Sequence, residues 1–445
     1  MRPKVVIAGI LDTKGEEIKF IAQAVREAGG EPTVMELSVG KETGWADIGL
    51  SELLVPIGKK PADLYAVDRH KAAGWVTEAA ILRAGEMLRE GKLDGIIGFG
   101  GSMGASISSA VMQSLPIGVP KMLVTTMASG EVRPYVGTKD ICMMYPIAEA
   151  GLNSLTKQIL TNAAYGIVGM ASAPKLPAAK SKPLIGCMMF GVTTPCVLRA
   201  SQSMEKLGYD VIINHAIGTG GMSMEQMIDD GFIKGVLDIT THELIDELLG
   251  GVLSAGPDRL TAAARKGVPQ VVAPGGLDLI NFGAKDTVPT HYMEQTHLPG
   301  RSLYEHNPTV TCVGVLPEEA REIARQIGEK LSVATGPVAV CVPMRGWGAC
   351  DIREPNKELG WAGPSAGPSW IADPERPEWS LRSRSFIAGL KETLDLSKPN
   401  IEVLVADMHM NEPEFADLMS GILQEMLDGR WKKGLHSGGP IQSLS

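Results

Sequence analysis

The segment from Leu93 to Met112, LDGIIGFGGSMGASISSAVM, constrains the fold more than any other part of the chain. It opens with a short isoleucine-rich run, which is typical of a strand buried on both faces of a sheet. Glycines follow at positions 98, 100, 101 and 104, and apolar residues then return at helical spacing. A strand, a glycine turn and a helix in this order direct free backbone N–H groups at an anion. The alternative is a tight turn in which glycine only lets the helix approach the strand.

This glycine turn matches neither of two common phosphate-binding motifs. A P-loop needs a lysine after its last glycine, and none follows Gly104. The dinucleotide fingerprint G-x-G-x-x-G, begun at Gly98, would need glycine at Met103. The next predicted strand ends in Thr125 and Thr126 instead of the acidic residue that binds a ribose. NAD is therefore disfavoured.

Strand and helix patterns alternate along the whole chain, on both sides of a segment rich in alanine, proline and lysine. Such alternation predicts parallel α/β sheets. We expect an α/β protein with two Rossmann-like, doubly wound domains whose sheets are mainly parallel. The first is a nucleotide-binding domain over residues 1–172, the second covers 184–445, and 173–183 is the linker.

The composition limits the class of protein. The 445 residues carry a formal net charge of −9 without a compensating basic block, which argues against binding of nucleic acid or of an anionic membrane surface. The six cysteines form no C-x-x-C pair, so neither a zinc site nor a disulfide framework is indicated. No apolar run reaches the roughly 18 residues of a membrane span, and a strand pattern begins directly after Lys4. We therefore expect a cytoplasmic protein with no membrane partner.

Three turns place threonine beside glycine or lysine between apolar runs. They are Asp-Thr-Lys at 12–14, Thr-Thr at 125–126 and Gly-Thr-Lys-Asp at 137–140. Turns that follow successive strands of one parallel sheet converge on one crevice, so all three are expected beside the glycine turn. Thr13 and Glu16 also match a capping box, and Ser102 is a candidate cap or anion ligand.

The second half has its own glycine turn, HAIGTGG at 215–221, between a predicted strand and a predicted helix. Three further side chains follow predicted strands and are candidates for catalysis, namely His242, Arg345 and His409. Arg345 could clamp a carboxylate or a phosphate, whereas His409 is as well explained as a packed or capping residue. The proline-, glycine- and tryptophan-rich segment 354–378 is expected to be an irregular flap.

Eight motifs together resemble one known family. In the first half they are DTKGEE, GFGGSMG, PKMLVTTMASG and VGTKDI, and in the second GTGGMSME, GVLDITTHEL, PGGLDLINFG and DMHMNEPEFA. The chain resembles the ATP-binding domain family of the plant tobamovirus-resistance protein and its uncharacterised bacterial relatives. The match extends over essentially the whole chain. It departs after Arg345, where this chain is longer and richer in tryptophan than the resemblance leads us to expect.

The resemblance implies ATP with Mg²⁺ in the first domain, and homodimers. Carried over by motif, the nucleotide-binding residues would be Asp12, Thr13, Lys14, Gly100, Gly101, Ser102, Thr125, Gly137, Thr138 and Lys139. Lys14 and Lys139 would supply positive charge to the phosphates. Asp12 or Asp140 could hold magnesium through water, because that ion keeps much of its hydration shell.

These observations favour an ATP-dependent enzyme that acts on a small organic acid. The nucleotide would bind in the first domain and the acid at the inter-domain cleft. One alternative is a non-catalytic, nucleotide-dependent binding module, as the plant relative suggests. Another is a keto-acid- or acyl-cleaving enzyme in which the first domain only binds an anion.

Overall fold

The computed structural model describes residues 2–174 and 182–444. Each of these two ranges forms a compact unit, one N-terminal and one C-terminal. Most of the linker predicted at 173–183 lies outside the described residues. In the described parts, no helix is both long enough and apolar enough to cross a membrane.

The elements of the N-terminal unit alternate between strand and helix. They are β1 (Lys4–Gly9), α1 (Leu11–Glu27), β2 (Glu31–Glu36), α2 (Leu50–Leu53), α3 (Pro61–Leu64), α4 (Arg69–Arg89), β3 (Gly95–Phe99), α5 (Ser102–Ser114), β4 (Lys121–Val124), α6 (Arg133–Val136), β5 (Cys142–Met144) and α7 (Ser154–Ser172). The strands form one parallel sheet in the order β2-β1-β3-β4-β5.

Helices cover both faces of this sheet, as its sequence pattern requires. Along β1, Val5 and Ile7 pack on one face with α1 and α7, whereas Val6 and Ala8 pack on the other with α4 and α5. All four residues are fully buried, which explains why the strand is apolar at every position rather than at alternate ones. The predicted doubly wound, Rossmann-like architecture is confirmed for this unit.

The polar segment 38–69, whose composition suggests an insertion or a lid, is packed on the core of this unit. It contains α2 and α3, and Leu50, Leu53 and Leu64 are buried in the core that α4 shares with the sheet. These residues, together with the buried Ile48 and Leu54, fix the segment on the core. They are spread over polar sequence and give too weak a periodicity to be recognised.

The C-terminal unit repeats the pattern on a larger scale. Its elements are β6 (Leu184–Met189), α8 (Thr194–Lys206), β7 (Asp210–His215), α9 (Thr219–Asp229), β8 (Ile233–Thr240), α10 (Glu243–Leu249), α11 (Ala262–Lys266), β9 (Gln270–Gly275), β10 (Leu279–Phe282), α12 (Thr290–Glu294), β11 (Leu303–Asn307), β12 (Val310–Gly314), α13 (Pro317–Ser332), β13 (Val338–Pro343), α14 (Leu381–Thr393), β14 (Ile401–Ala406), α15 (Pro413–Leu427) and β15 (Ile441–Leu444).

Its main sheet runs β15-β14-β13-β9-β8-β6-β7, parallel except for β15 at one edge. Alternate residues of β13 again serve opposite cores, with Val340 facing α13 and α14 and Cys341 facing α8 and α15. A separate antiparallel sheet, β10-β12-β11, is an addition that the strand–helix alternation did not predict. The mainly parallel α/β fold is confirmed here too.

Candidate functional site

The N-terminal unit has a crevice where the order of its strands changes direction. The chain leaves β1 toward β2 on one side and leaves β3 toward β4 on the other, so the two connections diverge between β1 and β3. Ligands of open α/β sheets bind at such switch points, beyond the carboxyl ends of the strands. A cavity of about 250 Å³ lies there, lined by Ile10, Thr13, Lys14, Arg69, Gly100, Gly101, Ser102, Met103, Gly104 and Glu149.

The glycine turn forms one wall of this crevice and ends in an uncapped helix. A Cβ atom on Gly100 would lie 3.1 Å from the Cα of Gly104, a tight contact that favours glycine at this position of the turn. Gly101 is the N-cap of α5, without a side-chain hydrogen bond, and Ser102 is the first helical residue and not the predicted cap. The Ala105 N–H bonds to the Gly101 carbonyl (2.8 Å). The amides before it are available to an anion.

Two cationic side chains line the same cavity. Lys14 lies at a kink in α1 (φ −125°) and is buried, and its Nζ donates to the main-chain carbonyl of Glu149 (2.7 Å). Arg69 is exposed at the start of α4. Neither forms an ion pair within residues 2–174 and 182–444. Both positive charges are therefore free to meet an anionic ligand.

Arg69 is a residue that the sequence reasoning missed. It was assigned to the end of the polar segment 38–69, with no motif to connect it to the glycines. The fold makes the connection, because α4 returns across the sheet before β3 and must begin at the edge where β3 ends. The signal in the sequence was the position of Arg69 at the start of the helix that precedes β3, the strand before the glycine turn.

Two carboxylates accompany the cations. Burial raises the pKa of Asp12, and the nearby Arg69 guanidinium opposes that rise. Glu149 is exposed, and its Oε1 lies 2.8 Å from the position that a Cβ on Gly101 would take. A carboxylate thus rests against the N-terminal end of α5, which attracts negative charge. Glu149, like Arg69, was not among the predicted residues.

The start of α1 is held differently from the prediction. Instead of a capping box between Thr13 and Glu16, the Ser38 hydroxyl accepts from the N–H groups of Leu11 (3.1 Å) and Asp12 (3.3 Å). Ser38 in turn donates to the buried carboxylate of Glu36 (2.9 Å). The cap comes from the residues after β2 and fixes the first turn of α1, where Thr13 lines the crevice. Asp12 is not among the lining residues, and its Oδ2 lies 2.9 Å from the position that a Cβ on Gly40 would take.

Thr125 lies in the same unit but does not line this cavity. It is buried at the end of β4, and its side chain caps a short turn by accepting from the Met127 N–H (3.2 Å). The side chain of Thr125 is therefore already used in a hydrogen bond within the protein.

The third predicted turn, 137–140, lies at the opposite end of the sheet. Asp140 accepts from Nζ of Lys121 (2.7 Å), the first residue of β4, and from the Gly118 N–H (2.9 Å). A Cβ on Gly137 would meet the side chain of Gln113, near the C-terminal end of α5. The turn therefore precedes a strand instead of following one.

This geometry corrects part of the predicted site. Gly137, Thr138 and Lys139 do not join Lys14 at the crevice, and Asp140 is not placed to hold a magnesium ion there. The physical reason is that the apolar run before the turn forms the short helix α6, so β5 begins only after the turn.

The glycine turn of the C-terminal unit is filled by the protein itself. Oε1 of Glu243 accepts from the N–H groups of Gly218 (2.7 Å) and Gly221 (3.1 Å). Glu243 is fully buried at the start of α10. Burial raises the pKa of Glu243, and the Arg259 guanidinium opposes this. With a carboxylate already on its amides, this turn is not an anion site.

Arg259 holds that arrangement together. Its Nε donates to Glu243 (2.8 Å), and its terminal nitrogens bind both oxygens of Asp238 (2.5 and 2.6 Å). Glu225, 3.5 Å away, accepts from the N–H groups of Leu260 and of the start of α11. The guanidinium is completely buried, so it is a structural charge.

Two of the three catalytic candidates are buried histidines. The His242 ring stacks on Phe190 (4.3 Å between centroids), and neither of its nitrogens has a partner among the described residues. Burial lowers its pKa to about 3. His409 uses both nitrogens, since Nδ1 accepts from the Asn411 N–H (3.1 Å) and Nε2 lies 3.3 Å from the Gly348 carbonyl. Burial lowers the pKa of His409 to about 4, so both rings are neutral near pH 7.

Arg345, the third candidate, is partly engaged. Its Nε donates to Oδ1 of Asp407 (2.8 Å), which also accepts from the indole of Trp379 (2.8 Å). The Arg345 hydrogen bond lowers the pKa of Asp407. Arg345 and His409 line a second crevice, of about 390 Å³, with parts of segment 352–359 and with Glu378 and Glu412. His242 is not part of it.

Comparisons with known proteins identify the family. Models of the uncharacterised protein family UPF0261 match residues 3–176 (N-terminal domain) and 182–360 (C-terminal domain). A UPF0261 protein of Clostridium tetani is 40% identical over 437 residues, which is 96% of this chain and all of the relative. UPF0261 protein RA0729 of Rhizobium meliloti is 40% identical over 417 residues, 93% of this chain and 96% of the relative.

A plant protein is also similar. The ToMV resistance protein Tm-1(GCR237) of Solanum lycopersicum is 32% identical over 440 residues, which is 94% of this chain but 55% of the tomato protein. The resemblance predicted from the eight motifs is thus confirmed. The chain belongs to the uncharacterised protein family UPF0261.

Proposed function

We propose that this chain is an ATP-binding protein whose N-terminal unit holds the nucleotide with Mg²⁺, and that it is an ATP-dependent enzyme of a small organic acid. The supporting observation is the meeting of an uncapped helix N-terminus with Lys14 and Arg69 at one switch-point crevice. Backbone amides and two free cations are what a polyphosphate requires.

Charge explains why both cations matter. The amides at the start of α5 offer only partial positive charge, whereas a triphosphate carries several full negative charges. Lys14 can contribute a buried ammonium group, and Arg69 can contribute an exposed guanidinium group with several N–H donors. Arg69 takes the role that the sequence analysis gave to Lys139.

Magnesium fits the crevice as a partly hydrated ion. No group of three or more His, Cys, Asp or Glu side chains in the described parts of the chain is arranged to hold a metal. Mg²⁺ usually binds through one or two carboxylates together with phosphate oxygens and water. Asp12 would supply such a carboxylate, directly or through water.

We expect Arg69→Ala to weaken ATP binding about 10- to 100-fold, because a hydrogen bond to a charged group contributes roughly 1.5–3 kcal/mol. Isothermal titration of the full chain with ATP and magnesium measures this. The matched control is Arg89→Ala, which removes an exposed arginine from the other end of the same helix. Lys139→Ala should also leave the affinity unchanged, and an equal loss in all three variants would exclude the proposed crevice.

Glu149→Gln should have the opposite effect. Its carboxylate lies where the phosphates would approach the start of α5, and a negative charge at a helix N-terminus is worth about 0.3–1 kcal/mol. We therefore expect the variant to bind magnesium-free ATP about two- to fivefold more tightly, with Glu131→Gln, at an exposed site, as the control. Binding that weakens only when magnesium is present would make Glu149 a metal ligand instead.

The alternatives remain a non-catalytic binding module and a keto-acid- or acyl-cleaving enzyme. The tomato relative is named for resistance to a virus and not for a reaction. Its name therefore does not favour an enzyme over a binding module. Consumption of ATP in the presence of candidate carboxylates would separate the enzyme from both alternatives. The homodimer and the cytoplasmic location stay predictions from the sequence.

A further inference from the structure

We propose that the crevice of the C-terminal unit binds a small organic acid that also carries an amino group. The crevice lies beyond the carboxyl ends of β13 and β14, where Arg345 and His409 follow these strands. Its volume of about 390 Å³ is within the range of small-molecule sites. The charged groups on its walls that have no partner within the described residues indicate the class of ligand.

Two guanidinium groups are available to a carboxylate. Arg345 uses its Nε for Asp407, and its terminal nitrogens form no hydrogen bond or ion pair within residues 182–444. Arg353 is exposed, and its nearest carboxylate, Glu354, is 3.9 Å away, which is beyond a hydrogen bond. Free guanidinium donors of this kind bind carboxylates with two parallel hydrogen bonds.

Three carboxylates of the crevice are available to an ammonium group, and one of them is Glu354, which lies 3.9 Å from Arg353. Glu378 and Glu412 line the same crevice, and neither forms an ion pair in the part of the chain that the structure describes. Both lie close enough to Arg345 to raise its pKa, after the larger effect of Asp407. Arg345 therefore faces three carboxylates, and a ligand with only negative charge would be repelled.

The rest of the wall limits the size and kind of the ligand. Ile352 and Leu359 give the crevice apolar sides, which suit a short carbon chain between the two charged ends. Glu378 and Glu412 can accept hydrogen bonds from the N–H groups of an organic ammonium at the other end of that chain. A zwitterionic amino acid meets all these conditions.

This inference deepens the proposed function, because it takes this ligand to be the small organic acid on which the proposed enzyme acts. To that extent it rests on the proposed function. The binding itself does not involve the nucleotide. It can therefore be measured without ATP, and a failure of one proposal is distinguishable from a failure of the other.

The first test is calorimetric titration of the full chain with glycine, β-alanine, 4-aminobutanoate and 6-aminohexanoate. Each is compared with the carboxylic acid and the amine of the same chain length. We expect at least one amino acid to bind at least about tenfold more tightly than both counterparts, since each lost charged hydrogen bond costs roughly 1.5–3 kcal/mol. Absence of binding by all four amino acids, or equal binding by the plain acid, would overturn the proposal.

The second test uses variants of the walls with the amino acid that binds best. Glu412→Gln and Arg353→Gln should each weaken its binding about 10- to 100-fold. Glu358→Gln and Lys357→Gln change exposed side chains of the same segment that do not line the crevice, and should leave it unchanged. All four variants should keep the ATP affinity of the parent chain. Similar losses in the wall variants and the controls would contradict the assignment.

Discussion

Replacing Arg259 with methionine is expected to lower the free energy of unfolding of the C-terminal unit by about 3–5 kcal/mol. The guanidinium is fully buried and binds Asp238 and Glu243, which are equally inaccessible to solvent. Methionine fills much of the volume but leaves two buried carboxylates without their cation. The cost comes mainly from those uncompensated charges and only in small part from lost packing.

A surface arginine provides the matched control for this prediction. Arg265 binds Asp229 with one terminal nitrogen, at 2.7 and 2.8 Å, but its side chain is 56% exposed. Arg265→Met should cost less than about 1 kcal/mol, because exposed ion pairs contribute little. Chemical denaturation of the three proteins measures the difference. Similar losses in the two variants would show that burial of the Arg259 network is not what stabilises the unit.

The two glycine turns show how far the sequence could identify the site. Both have the pattern strand, glycines, helix, and both were correctly placed after a strand. Only the fold shows that Glu243, 22 residues after Gly221, occupies the second turn, whereas the amides at the start of α5 have no such partner. The difference depends on a contact between distant residues, which no local pattern contains.

The error at 137–140 has a different physical origin. The fold class and the two turns after β1 and β3 could be predicted from the sequence, because long buried strands are apolar throughout and are easily recognised. β5 has three residues and is partly exposed, so it leaves almost no periodicity to detect. The preceding helix α6 was therefore taken for a strand, and Lys139 was placed at the wrong edge. Arg69 was missed because the sequence alone does not show at which edge of the sheet a helix begins. That edge follows only from the order and direction of the strands.

The segment 354–378 was expected to be an irregular flap, yet a buried arginine from α14 fixes it to the core. Arg382 donates through Nε to the Val315 carbonyl (2.6 Å), and its terminal nitrogens contact Asp351 (3.4 Å) and the Ser369 carbonyl. Ser369 donates in turn to Asp278 (2.6 Å). Arg382 and both aspartates are fully buried. The segment is irregular in secondary structure but anchored on the core through these charges.

Arg382→Met should therefore lower the free energy of unfolding by about 3–5 kcal/mol at neutral pH. The control is Arg321→Met, which removes a 56% exposed arginine that pairs with Glu392 between α13 and α14. Its expected cost is below about 1 kcal/mol. An equal cost for the two variants would contradict the anchoring role of Arg382.

The loss in Arg382→Met should also depend on pH, with a sign that follows from Asp351. Burial raises the pKa of Asp351 and of its neighbour Asp278, and the Arg382 guanidinium opposes both rises, so removing the arginine shifts each pKa to a higher value. Between the unfolded value of about 3.9 and that higher value, the folded variant binds more protons than the unfolded chain, and its stability falls as the pH rises. Denaturation at about pH 5.5 and pH 8 should therefore show a deficit relative to the parent that grows with pH. A constant deficit would mean that the cost is packing and not the charge of Asp351.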